Sequence, residues 1–379
     1  DVKIAFIISS LDSGGAERVL SLMANYWAQR SYRIIILTLG NSRPFYPIVD
    51  GIQIEQLSLL KNSVSVFNAI ANNIGRINVI VKRLIKIDPD IVISFMTETN
   101  IISTIGCRII NKPIIIAERI NYDFLASRLW ASLRKLVYRF SNALIVQTRY
   151  DQEKYQCLAN TSVINNPLNP IEIIPNSREE KNILAVGRLN RQKGFDRLIK
   201  AFSHLDHKDW KLTIIGEGEE RKNLEKLIND LGLEDDISMP GTTKAIENWY
   251  QKSPIFVLSS RMEGFPNVLC EAMAYGCACV SFDCIAGPNE IITDKIDGYL
   301  VKNGDVHALS TRINLLINDI EERRRIGKEA MKIIHRLNID SIMGQWDNII
   351  EKILRTSNTI NFKNQVTKTR SHPKNENEV

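Results

Sequence analysis

Two glutamates mark the stretch RMEGFPNVLCEAMAYGCACV, residues 261–280. Glu263 stands just before Gly264, and Glu271 follows with seven residues between, inside an otherwise apolar run. A carboxylate buried without a partner is costly, so Glu271 needs one. A vicinal diol such as a ribose offers it two donors at once; an arginine would also serve. Pro266 suits the first turn of a helix, where its missing N–H costs nothing. The backbone amides of Gly264, Phe265, Asn267 and Val268 then surround a helix N-terminus, donor-rich and positive, which suits a phosphate. Glu263 would repel that phosphate, so it fits better as an acceptor for hydroxyls beside it.

A second stretch, VGRLNRQKGFDRL (186–198), holds two cations five residues apart. Arg188 and Lys193 lie between a strand and a helix, loosened by Gly187 and Gly194, and can converge on a diphosphate. A solvated charged loop is the plainer alternative. Near the start, SSLDSGGAERVL (9–20) places Gly14 and Gly15 where a strand turns into a helix, open to backbone approach by an anion or to being an ordinary turn. It is not a GxGxxG fingerprint, and no acid closes the following strand, which disfavours a dinucleotide. IIGEGEER (214–221) adds Glu217, a ligand or a helix-capping charge. MPGTTKAIENWY (239–250) adds Gly241, where a flat base could stack, or an ordinary loop. Together these groups fit a nucleoside diphosphate sugar: one carboxylate for a ribose, cations and amides for a diphosphate, another carboxylate for a second polyol.

The elements that must hold these residues are legible as short β-branched runs. They occur at 3–9, 33–39, 52–57, 90–95, 113–118, 143–148 and 162–165, then at 182–189, 211–218, 236–241, 254–260, 278–283 and 298–301. Near-continuous apolar runs of this kind are parallel strands covered on both faces, and amphipathic segments such as 16–30, 65–87 and 126–140 alternate with them. The fold class is therefore α/β, two tandem Rossmann-like domains facing a cleft. We place the first at 1–170 and the second at 171–337. The proline-bearing stretch 166–180 reads as the linker, 338–357 as a helix crossing back to the first domain, and 358–379 as a polar, disordered tail. Ligands in such sheets bind outside the carboxyl ends of the strands, which is where the residues named above fall.

Length and composition agree. The chain has 379 residues, 44% hydrophobic and 24% charged, enough for two soluble domains. No run reaches the length of a membrane span, the N-terminus lacks the order of a signal peptide, and a start at Asp1 reads as processed. Six cysteines in core-like surroundings and five scattered histidines give no zinc spacing, so we expect reduced thiols, a cytoplasmic protein and no metal. The net charge of +6 is uneven. Residues 1–170 hold 19 Lys/Arg against 12 Asp/Glu and the remainder 30 against 31, so only the first half invites an anionic surface.

EGFPNVLCEAMAYGCACV, followed by GPNEII and DGYLV, resembles the signature of retaining glycosyltransferase family 4, with Glu263 and Glu271 at its Glu-x7-Glu positions. VGRLNRQKGFD is similar to the family's diphosphate loop and SGGAER to its first glycine loop. The resemblance spans roughly residues 3–350. It implies a GT-B fold, a nucleotide-sugar donor, no cofactor or metal, and transfer with retention at the anomeric carbon. It also implies that Arg188 and Lys193 stabilise the leaving diphosphate, Glu263 holds the donor sugar and Glu271 the ribose. SSLDSGGAER, SFMTETN and IIIAERIN resemble bacterial PglH-type N-acetylgalactosaminyltransferases acting on undecaprenyl-diphosphate-linked oligosaccharides. Glu98, Glu118 and Arg119 are then the acceptor-side candidates, with Arg119 standing where such enzymes often carry histidine.

A lipid-linked acceptor agrees with the basic first half. ASRLWASLRKLVYRF (126–140) interleaves Arg128, Arg134, Lys135 and Arg139 with apolar and aromatic residues, and 76–86 is similar. Such helices can lie on an anionic bilayer at the cytoplasmic face, basic side out, or simply pack on their own sheet. The expected activity is transfer of a hexose or N-acetylhexosamine from a UDP-sugar to a lipid-linked oligosaccharide in surface polysaccharide or glycan assembly. A GDP-mannose-dependent mannosyltransferase or a lipopolysaccharide-core transferase of the same fold is the alternative. A nucleotide-sugar epimerase, a phosphorylase and a nucleic-acid-binding protein fit less well.

Overall fold

The computed structural model describes residues 2–60, 66–125, 127–169, 180–206 and 209–370, with only the backbone course described for 66–70 and 357–370. Most of the expected linker, 170–179, lies outside the described residues. The chain divides into two compact units, Asp1–Val146 with Gln152–Ile164 and Met343–Val379, and Gln147–Asp151 with Asn165–Ile342.

The first unit contains β1 (Lys3–Ile8), α1 (Gly15–Ala28), β2 (Arg33–Thr38), β3 (Gln53–Gln56), α2 (Val66–Ile87), β4 (Ile91–Phe95), α3 (Thr97–Ile109), β5 (Ile114–Ala117), α4 (Arg128–Val137), β6 (Ala143–Val146), most of α5 (Arg149–Tyr155) and β7 (Thr161–Val163). The second contains β8 (Asn182–Val186), α6 (Phe195–Ser203), β9 (Lys211–Ile215), α7 (Arg221–Asp230), β10 (Ile237–Gly241), α8 (Ile246–Lys252), β11 (Ile255–Leu258), α9 (Asn267–Ala274), β12 (Ala278–Asp283), α10 (Pro288–Ile291), β13 (Tyr299–Lys302), α11 (Val306–Asn318), α12 (Ile320–Ala330) and α13 (Ile333–Arg336). The last helix, α14 (Ile339–Arg370), joins the first unit from Met343 onward.

Each segment expected to be a strand is one. The seven-stranded sheet runs β3-β2-β1-β4-β5-β6-β7 and the six-stranded sheet β10-β9-β8-β11-β12-β13, all pairs parallel. In each, the strand order reverses next to the first strand, so the loops after β1 and β4, and after β8 and β11, flank a topological switch point.

Alternation along β1 explains the core of the first unit. Ala5 and Ile7 face a cluster with Ile80, Ile101, Ile102 and Tyr138 from the helices on that side. Phe6 faces the other way and meets Trp27 of α1 at 5.9 Å and Phe95 at 6.1 Å, while Trp346 of α14 packs edge-on against Trp27 at 6.3 Å. Asp347 fixes this seam by accepting hydrogen bonds from Trp27 Nε1 at 2.7 Å and the Tyr32 hydroxyl at 3.2 Å.

Two expectations need correction. The helix expected at 338–357 is α14, and its backbone course runs on to Arg370; residues 371–379 of the expected tail lie outside the described residues. Arg134, expected on the outward basic face of α4, is 2% exposed. It shares the inward helical face with Trp130, Leu133 and Val137. Its guanidinium lies over the Tyr122 ring at 3.9 Å and donates to the Tyr122 carbonyl at 3.1 Å and the Tyr155 hydroxyl at 3.0 Å. The outward face of α4 and the 3-10 turn after it carries Arg128, Leu129, Lys135, Leu136, Arg139 and Phe140.

Candidate functional site

In the second unit the chain leaves β8 through Gly187 and reaches a 3-10 turn, Arg191–Lys193. The Asn190 side chain starts that turn by accepting the Lys193 amide at 3.1 Å. Gly194 ends it at φ +66°, and a Cβ there would stand 2.2 Å from the Ser259 carbonyl oxygen, so the position requires glycine. The Lys193 stem lies over Gly187, where an added Cβ would meet three of its carbons at 3.1–3.2 Å.

This turn is fastened to the loop after β11. The Ser259 hydroxyl donates to the Lys193 carbonyl at 3.0 Å, the Arg261 amide to the Gln192 carbonyl at 2.8 Å, and Gln192 Nε2 to the Met262 carbonyl at 3.1 Å. Arg261 also forks onto Asp196 at 2.8 and 2.7 Å. The outcome is a contact across seventy residues of sequence: Lys193 Nζ lies 2.7 Å from Glu263 Oε1. The Ser260 hydroxyl donates to the same oxygen at 2.5 Å, and Glu263 is 4% exposed. A lysine and a carboxylate are thus held together at the switch point of this sheet. Arg188, on the same loop, is exposed and makes no ion pair among the described residues.

The helix bearing Glu271, α9, begins one residue later than expected. Pro266 is its N-cap, since its carbonyl accepts the Leu269 amide at 3.0 Å and the Cys270 amide at 3.3 Å. The amides of Asn267 and Val268 open the first turn and have no partner within the helix. Their approach is framed by Gly287, at φ +96°, where a Cβ would stand 2.7 Å from the Gly264 carbonyl oxygen and 2.8 Å from Pro266 Cδ. Phe265 is buried, and the Asn267 side chain accepts from Asn166 Nδ2 at 2.7 Å. One turn on, Glu271 is 7% exposed and its Oε2 accepts the Tyr250 hydroxyl at 3.0 Å.

Glu217 and Gly241 are neighbours: a Cβ on Gly241, at φ +93°, would stand 3.1 Å from Glu217 Oε1. Glu217 is turned onto Arg221, which forks it at 2.5 and 2.8 Å and holds its carboxyl below the usual range. Gly216 and Gly218 permit the loop after β9 to touch the one after β8, because a Cβ on either would collide with the Gly187 or Leu189 carbonyl.

In the first unit Gly14 is the extended N-cap of α1 and Gly15 its first residue. The Glu17 carboxylate folds back over Gly14, where a Cβ would meet its Oε2 at 2.1 Å, so a negative group already sits at that helix start. Glu98 is exposed on the first turn of α3. Glu118 is turned inward at 1% exposure and accepts from the Thr97 hydroxyl at 3.1 Å and from the Tyr138 hydroxyl. Burial raises its carboxyl to about 7 against these hydrogen bonds. Arg119 lies over the Phe95 ring at 4.9 Å and the Trp346 ring at 5.9 Å, and burial lowers it to about 9. Ser260, Tyr250 and Asn166 were not singled out from sequence. Ser260 is three residues before Glu263 and lay within reach of a local argument; Tyr250 and Asn166 are too distant in sequence for one.

Comparison with known proteins supplies the remainder. Residues 13–177 match the model of "Glycosyltransferase Family 4" and residues 171–333 that of "Glycosyl transferases group 1". An uncharacterized glycosyltransferase of Haemophilus influenzae is 29% identical over 92% of this chain and 99% of its own length. A Campylobacter jejuni α-1,4-N-acetyl-D-galactosaminyltransferase, named for a diphospho-undecaprenol-linked GalNAc acceptor, is 29% identical over 93% of this chain and 99% of its own. Among solved structures, sucrose-phosphate synthase of Thermosynechococcus elongatus superposes with a TM-score of 0.82 at 17% identity, covering 94% of this chain and all of that one. Anabaena HepE, solved with UDP and glucose, superposes with a TM-score of 0.77 at 18% identity, covering 93% and 100%. The fold is GT-B, and the chain belongs to the glycosyltransferases built from a family 4 domain followed by a group 1 domain.

Proposed function

We propose that this glycosyltransferase moves a hexose or N-acetylhexosamine from a UDP-sugar to a lipid-linked oligosaccharide, with retention at the anomeric carbon and without a metal. The observation that carries the proposal is the Lys193–Glu263 contact of 2.7 Å beside the start of α9, with Glu271 one turn along that helix. As the bond from C1 to the diphosphate breaks, negative charge grows on the leaving group. Lys193, Arg188 and the first amides of α9 offset it, as preorganised electrostatics of this kind usually contributes most to the rate. Glu263 accepts hydroxyls of the donor sugar, and the acceptor oxygen takes the place of the diphosphate on the same face of C1. Glu271 takes the ribose. Glu98 and Arg119 are the first unit's candidates for the acceptor, whereas Glu118 acts there through the scaffold.

The acceptor class is supported by the name of the C. jejuni relative, and the site by α4. Among the described residues no helix is long and apolar enough to cross a membrane. The outward face of α4 exposes Leu129, Leu136 and Phe140 by about half, next to Arg128, Lys135 and Arg139 and with no acid between 124 and 150. That pattern suits an anionic membrane surface at which a lipid-linked acceptor is anchored.

The test is a panel of UDP- and GDP-sugars presented with polyprenyl-diphosphate glycans, with product linkage read by NMR. An α-linked product from a UDP-α-sugar is expected, in the presence of a chelator as in its absence. Transfer from GDP-mannose alone would favour the mannosyltransferase alternative. Thermal stabilisation by UDP that survives both Lys193→Ala and Glu271→Ala would remove the site.

A further inference from the structure

Glu271 can serve a ribose only if its carboxylate is held in one orientation, and the structure contains a device for that. Tyr250, on α8, is 1% exposed, and its hydroxyl donates to Glu271 Oε2 at 3.0 Å. The ring is fixed on both sides. Tyr275 stacks on it with centroids 5.6 Å apart and planes 17° from parallel, and Phe256 lies at 6.1 Å. Its backbone is held too, since the Cys277 thiol donates to the Tyr250 carbonyl at 3.4 Å and the Cys277 amide to the Ala272 carbonyl, one residue past Glu271, at 2.9 Å. Tyr250 and Glu271 are therefore tied to each other by side chain and through the turn after α9.

We infer that Tyr250 is a positioning residue for nucleotide recognition: its hydroxyl locks the Glu271 carboxylate toward the ribose diol of a nucleoside diphosphate. This rests on Glu271 being the ribose ligand. A carboxylate has two oxygens with about four acceptor sites, so one hydroxyl fixes its torsion without exhausting it. A group held in advance loses less freedom when the ligand arrives, which raises affinity without new contacts.

The experiment measures affinities of UDP and 2′-deoxy-UDP by calorimetry for the wild type, Tyr250→Phe and Glu271→Gln. Tyr250→Phe removes one oxygen and keeps the stacked ring. We expect it to weaken UDP about tenfold and 2′-deoxy-UDP by no more than about twofold, with the donor KM rising more than kcat falls. The ratio of the two affinities does not depend on the fraction of protein folded, so a loss of stability cannot imitate the result. Equal weakening of both nucleotides, or an unchanged ratio, would overturn the positioning role while leaving Glu271 in place. A wild type that does not distinguish the two nucleotides, or Glu271→Gln that keeps the distinction, would remove the ribose role and the inference with it.

Discussion

Replacing Lys193 by methionine separates the structural and chemical roles of its contact with Glu263. The variant keeps most of the stem over Gly187 and removes the charge, leaving Glu263 buried at 4% exposure with the Ser260 hydroxyl as its one remaining partner on Oε1. At 2.7 Å and an effective dielectric of about 20, the lost attraction is about 6 kcal/mol before the lysine's desolvation is returned. Buried pairs broken on one side usually cost about 3–5 kcal/mol, and the Ser260 hydrogen bond puts this one at the lower end, about 3 kcal/mol. Adding Glu263→Gln removes the stranded charge, so the double variant should regain most of that stability. It should not regain activity, because the leaving diphosphate has lost one of the two cations proposed to offset its charge, and the more buried of the two. The assay pairs urea unfolding with turnover: Lys193→Met less stable and inactive, the double variant near wild-type stability and inactive. A single variant as stable as the wild type would mean that the pair is not a buried ion pair in solution. Activity restored in the double variant would mean that Lys193 serves only to neutralise Glu263.

Three further outcomes follow from the same geometry. Glu118 has its carboxyl raised from 4.5 to about 7 by burial, so folding favours its protonated form. Its contribution is then neutral near pH 4 and becomes a penalty as pH rises toward 7, reaching about 3 kcal/mol for a shift of that size. Glu118→Gln should therefore gain stability over the wild type between pH 5 and 8, and a difference that is flat with pH in urea unfolding would refute this. Gly194→Ala puts a Cβ 2.2 Å from the Ser259 carbonyl oxygen at φ +66°, so a loss of about 2 kcal/mol or more in thermal unfolding is expected, together with displacement of Lys193 and lower turnover. Leu136→Asp with Phe140→Asp should abolish flotation with phosphatidylglycerol vesicles while leaving UDP affinity intact. Co-flotation as strong as the wild type's would show that α4 is not the membrane face.

What could be read from the chain, and what could not, divides along physical lines. Strands buried on both faces announce themselves as apolar β-branched runs, and the loops that follow such strands are where ligands bind, so Lys193, Glu263 and Glu271 stand out as candidates in the sequence itself. Their pairing does not. Lys193 and Glu263 meet because two loops seventy residues apart are clamped by Arg261 on Asp196 and Ser259 on the Lys193 carbonyl, and neither clamp has a local signature. Charge misled in two places. Arg134 looked like part of a basic outer face, but its position shares the helical face of Val137, and two tyrosines make that interior hospitable to a guanidinium. Glu118 looked like an acceptor ligand because it ends a strand, yet Thr97 and Tyr138 draw it inward. In both cases aromatic or hydroxyl partners decided the direction of a charged side chain, and those partners are distant in sequence. The same cause hid Tyr250. Glu271 was recognised as a buried carboxylate in need of a donor, and an arginine or a ribose was the natural candidate. One donor observed is the Tyr250 hydroxyl, 21 residues upstream on α8, and that separation in sequence is what hid it.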